Sequence, residues 1–303
     1  MKLEVKRMLL LIAMLCAMSG ASAYDFEVDG VYYNILSLSE RSCEVTDGDV
    51  EYVGNLTIPE YVTYQGKKMS VKRISTSCNN VKSLKIDSSD ERIEVDANCC
   101  PAFKNLNDLY LGRTMILVNN EELKHETPFR ESDSLKILTI GEKVDTIADY
   151  TFGYCKISSV KFEDSDDEIY VGNGSFDSWN RAYRCMFRSA KEAYIGRNFI
   201  EKGVSIFYRN SNLKEVTFGG KTTTINESFC SNCTNLEKVN ISCPIRKIGG
   251  DAFYECNNLV DLVLPNTVKA IGSRAFSYCK KLNSITIPDS VTIIEYNTFV
   301  DCI

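Results

Sequence analysis

Residues 271–287 read Ile271-Gly272-Ser273-Arg274-Ala275-Phe276-Ser277-Tyr278-Cys279-Lys280-Lys281-Leu282-Asn283-Ser284-Ile285-Thr286-Ile287, and this stretch sets the architecture of the chain. It ends in the phrase Leu-x-x-φ-x-φ, with φ apolar, and is led by a phrase carrying Ile, Phe and Cys. Leu213, Leu236, Leu259 and Leu282 recur at an even step of 23, as do Ile225, Ile248, Ile271 and Ile294, and as do Cys233, Cys256, Cys279 and Cys302. A chance apolar pattern does not hold three residue types in separate registers at one period. A fixed period of this length marks stacked structural repeats.

Working back from this stretch, weaker copies of the strand phrase occupy Val81–Ile86, Leu106–Leu111, Leu135–Ile140, Ile157–Phe162 and Ala190–Ile195, with Leu56–Ile58 as the first. From Ile58 through Ile86, Leu111, Ile140 and Phe162 to Ile195, the last apolar positions of successive copies are unevenly spaced, whereas from Ile195 through Phe218, Ile241 and Leu264 to Ile287 the step is constant. Long intervals predict inserts in the turns, around 87–103, 113–128 and 164–186. A higher-order copy is also visible. Positions 135–147 match 213–225 at an offset of 78, and 83–95 match 159–171 at 76. Each turn predicts a short strand whose first, fourth and sixth residues point inward, then a bend and a return segment. One turn alone cannot bury that face. Stacked turns make a parallel sheet with strands about 4.8 Å apart. The predicted fold is therefore a β-rich leucine-rich-repeat solenoid of about ten turns over residues 53–303, with a curved parallel sheet. Residues 24–52 lack the period and alternate in polarity, which predicts an N-terminal strand cap.

The start of the chain reads as an address. Lys2, Lys6 and Arg7 precede an apolar run, Met8–Met18, and Ala21-Ser22-Ala23 supplies the small residues of a cleavage site. These features predict a secretory signal peptide cut after Ala23. No later stretch approaches the length of a transmembrane helix. The net charge is −6 over 303 residues, and removing the basic leader makes it more negative, so a nucleic-acid partner is not expected.

The leader, the segment Tyr24-Asp25-Phe26-Glu27-Val28-Asp29-Gly30-Val31-Tyr32-Tyr33-Asn34-Ile35 and repeats such as Leu282–Val291 together resemble the BspA-like leucine-rich-repeat proteins of Bacteroides-type bacteria. The repeat match is specific over Lys214–Ile303 and weaker across Val81–Asn212. The resemblance implies an exported or surface-displayed binding protein. Adhesion to host extracellular-matrix proteins or to other bacteria is described for some members.

Candidate chemistry is sparse. One histidine, His125, excludes any mechanism needing two imidazoles, and no phosphate loop or nucleophile motif occurs, so the chain is expected not to be an enzyme and no cofactor is called for. The thiols Cys230, Cys233, Cys243 and Cys256 are poorly spaced for zinc. The cysteines in repeat register are expected to be small buried hydrophobes, because stacked equivalent side chains do not meet disulfide geometry. Pairing of Cys43, Cys78, Cys99, Cys100, Cys185, Cys230 and Cys243 is left open. Two acidic clusters, Asp87–Glu91 and Asp164–Glu168, lack the ligand alternation of a calcium loop.

The remaining candidate is the sheet surface. The fifth residue of each strand points outward, so Lys85, Tyr110, Lys161 and Tyr194 are expected to form a ligand-binding file, with Trp179 in the third insert as a further stacking residue. The expected partner is an extracellular protein or glycan, and the expected location is secreted or at the cell surface. Two alternatives are an accessory or inhibitor acting through 164–183, and a structural spacer. The last turn stops half built at Cys302-Ile303, which predicts a C-terminal edge that is frayed or masked by another chain, with end-to-end self-association.

Overall fold

The computed structural model describes residues 23–100, 102–118, 127–129, 132–177, 182–200 and 205–302. Ten strands stack into one sheet: β1 (Val53–Ile58), β2 (Asn80–Ile86), β3 (Asp108–Arg113), β4 (Ile137–Lys143), β5 (Ser159–Phe162), β6 (Glu192–Ile195), β7 (Glu215–Phe218), β8 (Lys238–Ile241), β9 (Asp261–Val263) and β10 (Ser284–Thr286). Their spatial order is their chain order, and every pairing is parallel. A parallel neighbour requires a return path rather than a hairpin, and each repeat supplies one. Pro59, Pro265 and Pro288 lie just beyond strand ends, where a missing N–H costs no ladder bond.

The inward positions are filled as the repeat phrase predicts. Leu213, Val216 and Phe218 are fully buried, and so are Leu135, Leu138 and Ile140. The return path zips a second side. From residue 205 onward its strands are the two-residue rungs Thr224–Ile225, Lys247–Ile248, Ala270–Ile271 and Ile293–Ile294, again parallel. At the N-terminal end the second side widens into a seven-stranded sheet. Phe26–Val28, Val31–Ser37 and Ser42–Val45 lead into Lys67–Ile74, then Ile93–Asp96 and Met115–Val118, while Tyr61–Tyr64 pairs antiparallel with Lys67–Ile74. The first insert therefore carries Ile93–Asp96 and the short 3-10 turn Ala97–Cys99. The third carries Tyr170–Val171 and an antiparallel pair, Ser175–Asp177 with Ala182–Arg184. Among the described residues no helix is long and apolar enough to cross a membrane.

The bend on the second side uses left-handed backbone twice per turn. Ser228, Asp251, Arg274 and Asn297 form one column and Asn232, Glu255, Tyr278 and Asp301 another, all at φ between +53° and +62°. None is β-branched, in keeping with the crowding of that region. The strain is offset by hydrogen bonds between turns: the N–H groups of Ser228, Asp251 and Arg274 donate to Gly250, Ser273 and Tyr296.

A phenylalanine spine and a thiol ladder run through the core. Phe103, Phe129 and Phe152 stack at 5.4 and 5.0 Å, and Phe253, Phe276 and Phe299 at 5.5 and 5.6 Å. Just after the spine position, the Sγ of Cys233, Cys256, Cys279 and Cys302 donates to the main-chain oxygen of Phe207, Cys230, Phe253 and Phe276, at 3.0–3.2 Å. Cys155 does the same to Phe129. Where the column lacks cysteine, Ser132 Oγ and Asn210 Nδ2 reach the equivalent oxygens of Phe103 and Phe187. The column thus selects a small donor, and a thiol meets that need with little desolvation. All twelve cysteines of the described chain are free, and only Cys99, Cys100 and Cys302 are partly exposed. Burial pushes the thiols of Cys43, Cys155, Cys185 and Cys279 up to about 12, which withholds the reactive thiolate. Ellman's reagent is expected to modify at most those three partly exposed thiols in the native protein, and all twelve after denaturation without reductant. Fast native labelling of more, or a shortfall after denaturation, contradicts the ladder.

Candidate functional site

The outward positions fall into strict register across the long sheet. Thr57 pairs with Lys85, Lys85 with Tyr110, Tyr110 with Thr139, Thr139 with Lys161, Lys161 with Tyr194, Tyr194 with Thr217, and Thr217 with Asn240. Lys85, Tyr110, Lys161 and Tyr194 therefore occupy one file. Lys85 and Lys161 are exposed and the two tyrosines half-buried. Trp179 and His125 lie outside the described residues, as does the predicted leader before Ala23.

Each tyrosine is held in place. A Cβ on Gly219 would meet the Tyr194 ring at 2.5–2.8 Å, and one on Gly141 would meet the Tyr110 hydroxyl at 3.0 Å. Glycine at each of these positions makes room for the phenol end, which reaches across to the next turn. The hydroxyls are tethered. Tyr194 Oη donates to Asp164 Oδ1 at 2.7 Å, and Tyr110 Oη donates to Glu163 Oε2 at 3.2 Å and stands 3.0 Å from Ser88 Oγ. Lys85 Nζ and Lys161 Nζ each sit 6.0 Å from the centroid of the neighbouring tyrosine ring.

The loops after β2 and β5 supply partners for these cations and for two further lysines. Lys85 Nζ meets Asp87 at 2.7 Å, Lys161 meets Glu163 at 4.0 Å, Lys143 meets Asp90 at 3.0 Å and Lys221 meets Asp166 at 3.6 Å. Such exposed pairs add little stability, but they match each of these lysines to a carboxylate. Hydrogen bonding to Asp87 raises the Lys85 pKa. Further along, Glu215 accepts from Lys238 at 3.0 Å and from Asn240 at 2.7 Å, and the Lys238 contact leads in holding its carboxyl below the usual range.

Tyr194 is the most perturbed group on the face. Burial, and then its hydrogen bond to Asp164 and that carboxylate's charge, push the phenol up to about 12. An unfolded tyrosine titrates near 10. The Tyr194 contribution to stability is thus complete below pH about 10 and lost as pH rises through about 12. In NMR spectra of tyrosine labelled at Cζ, Tyr194 is expected to titrate well above the ordinary value, and Asp164→Asn to bring its midpoint down. An ordinary midpoint indifferent to Asp164 contradicts the tether.

Two residues beneath the file escape sequence reading. Arg113 and Arg197 are both fully buried. Arg197 donates from Nη2 to Gly141 O at 2.5 Å, from Nη1 to Val144 O at 2.8 Å and from Nε to Glu163 O at 3.3 Å, clamping three turns together. Arg113 donates from Nη2 to Pro59 O at 3.1 Å, while its Nε and Nη1 lack partners among the described residues. The signal was present in the match of Tyr110-Leu111-Gly112-Arg113 to Tyr194-Ile195-Gly196-Arg197.

No group of three His, Cys, Asp or Glu side chains able to hold a metal ion occurs among the described residues. Two open grooves lie off the face. One of about 760 Å³ follows the second side past Phe199, Glu227 and Tyr296, and one of about 1100 Å³ lies between the cap and β1, lined by Tyr32, Tyr52 and Tyr61.

Among solved structures, the chain is similar to a leucine-rich repeat protein from Bacteroides ovatus, with 21% identity, 92% of this chain and 93% of that chain covered, and a TM-score of 0.40. It is also similar to the leucine-rich repeat protein of T. pallidum, at 13% identity over 78% and 91% of the two chains with a TM-score of 0.39. A leucine-rich cell surface protein from Faecalibacterium prausnitzii aligns at 16% identity over 92% and 96%, with a TM-score of 0.29. No curated protein matches. The family described as "BspA type Leucine rich repeat region" matches in six copies, over residues 115–202 and 181–303. With its repeats, parallel ladder and core columns all of one kind, the chain belongs to the BspA-type leucine-rich-repeat family.

Proposed function

We propose that this chain is an exported, non-catalytic binding protein that adheres to an extracellular protein or glycan through the outer face of the long sheet. The family suggests a repeat-based binding role. The observation that carries the reading is the file itself: two tyrosines, each with its phenol end close to a glycine of the next turn and tethered by an acidic neighbour, in register with Lys85 and Lys161. Aromatic side chains immobilised before binding supply contact area at low entropy cost. Repeat solenoids commonly bind on such extended faces.

The test is a panel of host matrix proteins, bacterial cells and glycans, followed by amide exchange on the protein with the partner found. Protection centred on β2–β7 supports the reading. Protection confined to 164–183 transfers the role to the insert, as an accessory or inhibitor, and absence of any partner leaves a spacer; either result contradicts the sheet-face assignment.

A further inference from the structure

The polar groups of the face occur twice. A lysine on the strand before each tyrosine is Lys85 in one copy and Lys161 in the other, and each lysine meets a nearby acid, Asp87 or Glu163. A lysine on or after the strand that follows each tyrosine, Lys143 or Lys221, reaches back to the first strand's loop at Asp90 or Asp166. The Tyr194 ring and the Tyr110 hydroxyl each come close to a glycine of the following turn, and three residues after each tyrosine a buried arginine reaches a carbonyl two strands back, at Pro59 or Gly141. Lys85 is offset from Lys161 by 76, Tyr110 from Tyr194 by 84 and Lys143 from Lys221 by 78, so unequal inserts have left the lysine–acid contacts intact. Tyr110 on β3 and Tyr194 on β6 are three strand steps apart, about 14 Å on a parallel sheet.

Resting on the reading above, we propose that Tyr110 and Tyr194 are two equivalent stacking subsites for one neutral polysaccharide chain lying across the strands. Three features select this chemistry. Each lysine is already matched to an acid, so neither copy offers an unopposed cation to an anionic ligand. The main-chain groups of these interior strands are spent in the ladder, so a peptide backbone finds no edge to add to on this face. What remains is an aromatic ring flanked by carboxylates and hydroxyl groups, which suits the C–H face and hydroxyl groups of a sugar ring. A copied site at a fixed spacing suits a ligand with a repeating unit, because the second contact is then intramolecular.

The experiment is native electrophoresis through gels cast with a β-1,3-glucan, hydroxyethylcellulose, xylan, yeast mannan or heparin. Retardation by at least one neutral polymer and not by heparin is expected. Tyr110→Ala and Tyr194→Ala should each weaken it at least about tenfold, and the pair should abolish it. Tyr194→Phe, which keeps the ring and loses the tether, should bind several-fold better than Tyr194→Ala. A trisaccharide of the retarding polymer should titrate to two equivalent sites in the wild type and one in each alanine variant. Unshifted thermal midpoints exclude unfolding as the cause. No retardation in any neutral gel, or retardation that both alanine variants leave unchanged, overturns the proposal. If the double variant loses binding to a matrix protein or bacterial cell while no neutral gel retards the wild type, the face still binds and only the ligand class is wrong. If the double variant changes nothing on any panel, the face reading fails as well.

Discussion

Arg197→Met is expected to lower the unfolding free energy by about 3–5 kcal/mol in a urea titration, and Arg113→Met by under about 1.5 kcal/mol. Each guanidinium is fully buried, three residues after a copied tyrosine in sequence, so burial area does not distinguish them. Their partners do. Arg197 bonds three main-chain oxygens on two neighbouring turns, and methionine leaves all three short of a donor in a dry interior. Arg113 has one such partner and two unmatched nitrogens, so methionine also removes a buried charge that is poorly compensated. Equal losses in the two variants would mean that the carbonyl clamp of Arg197 contributes nothing specific.

Phe276→Ala is expected to cost about 3–5 kcal/mol by the same measurement. Its ring is fully buried and nearly parallel to two spine neighbours, with interplanar angles of 5° to Phe253 and 6° to Phe299. Truncation empties a slot whose walls are the turns above and below, each fixed by its own ladder of N–H donors, so collapse into the cavity is restricted. A loss under about 1 kcal/mol would show that adjacent turns repack freely around the Phe253–Phe276–Phe299 stack.

The solenoid was legible because the residues facing its core must recur whenever the path recurs. Leu259, Ile271 and Cys279 each hold a position that no other geometry shares, and the even step at which each recurs is the length of one turn. Other parts were hidden. The thiols read as small hydrophobes, and their donation to the preceding turn is invisible until Ser132 and Asn210 are seen filling the same column with the same bond. The second copy of the tyrosine site was obscured by inserts of unequal length, which displace Lys161, Tyr194 and Lys221 by different amounts from Lys85, Tyr110 and Lys143 and defeat a search at one offset. Arg113 and Arg197 carry charges that composition assigns to the surface. Only the carbonyls of Pro59, Gly141, Val144 and Glu163, brought close by stacking, explain their burial. The outward file was readable from strand alternation. That its tyrosines reach across to the next turn depended on Gly141 and Gly219, a contact that alternation does not express.

The proposed binding face centres on the two tyrosines. Its direct test is the affinity of the chain and of its Tyr110→Ala/Tyr194→Ala variant for the ligand selected from the matrix-protein, bacterial-cell and glycan panel, with thermal midpoints recorded alongside. The dissociation constant is expected to rise at least about 100-fold while the midpoint stays nearly constant, because half-buried surface rings carry contact energy and little of the core. An unchanged dissociation constant in a folded double variant would contradict the sheet-face assignment and move the site off the sheet.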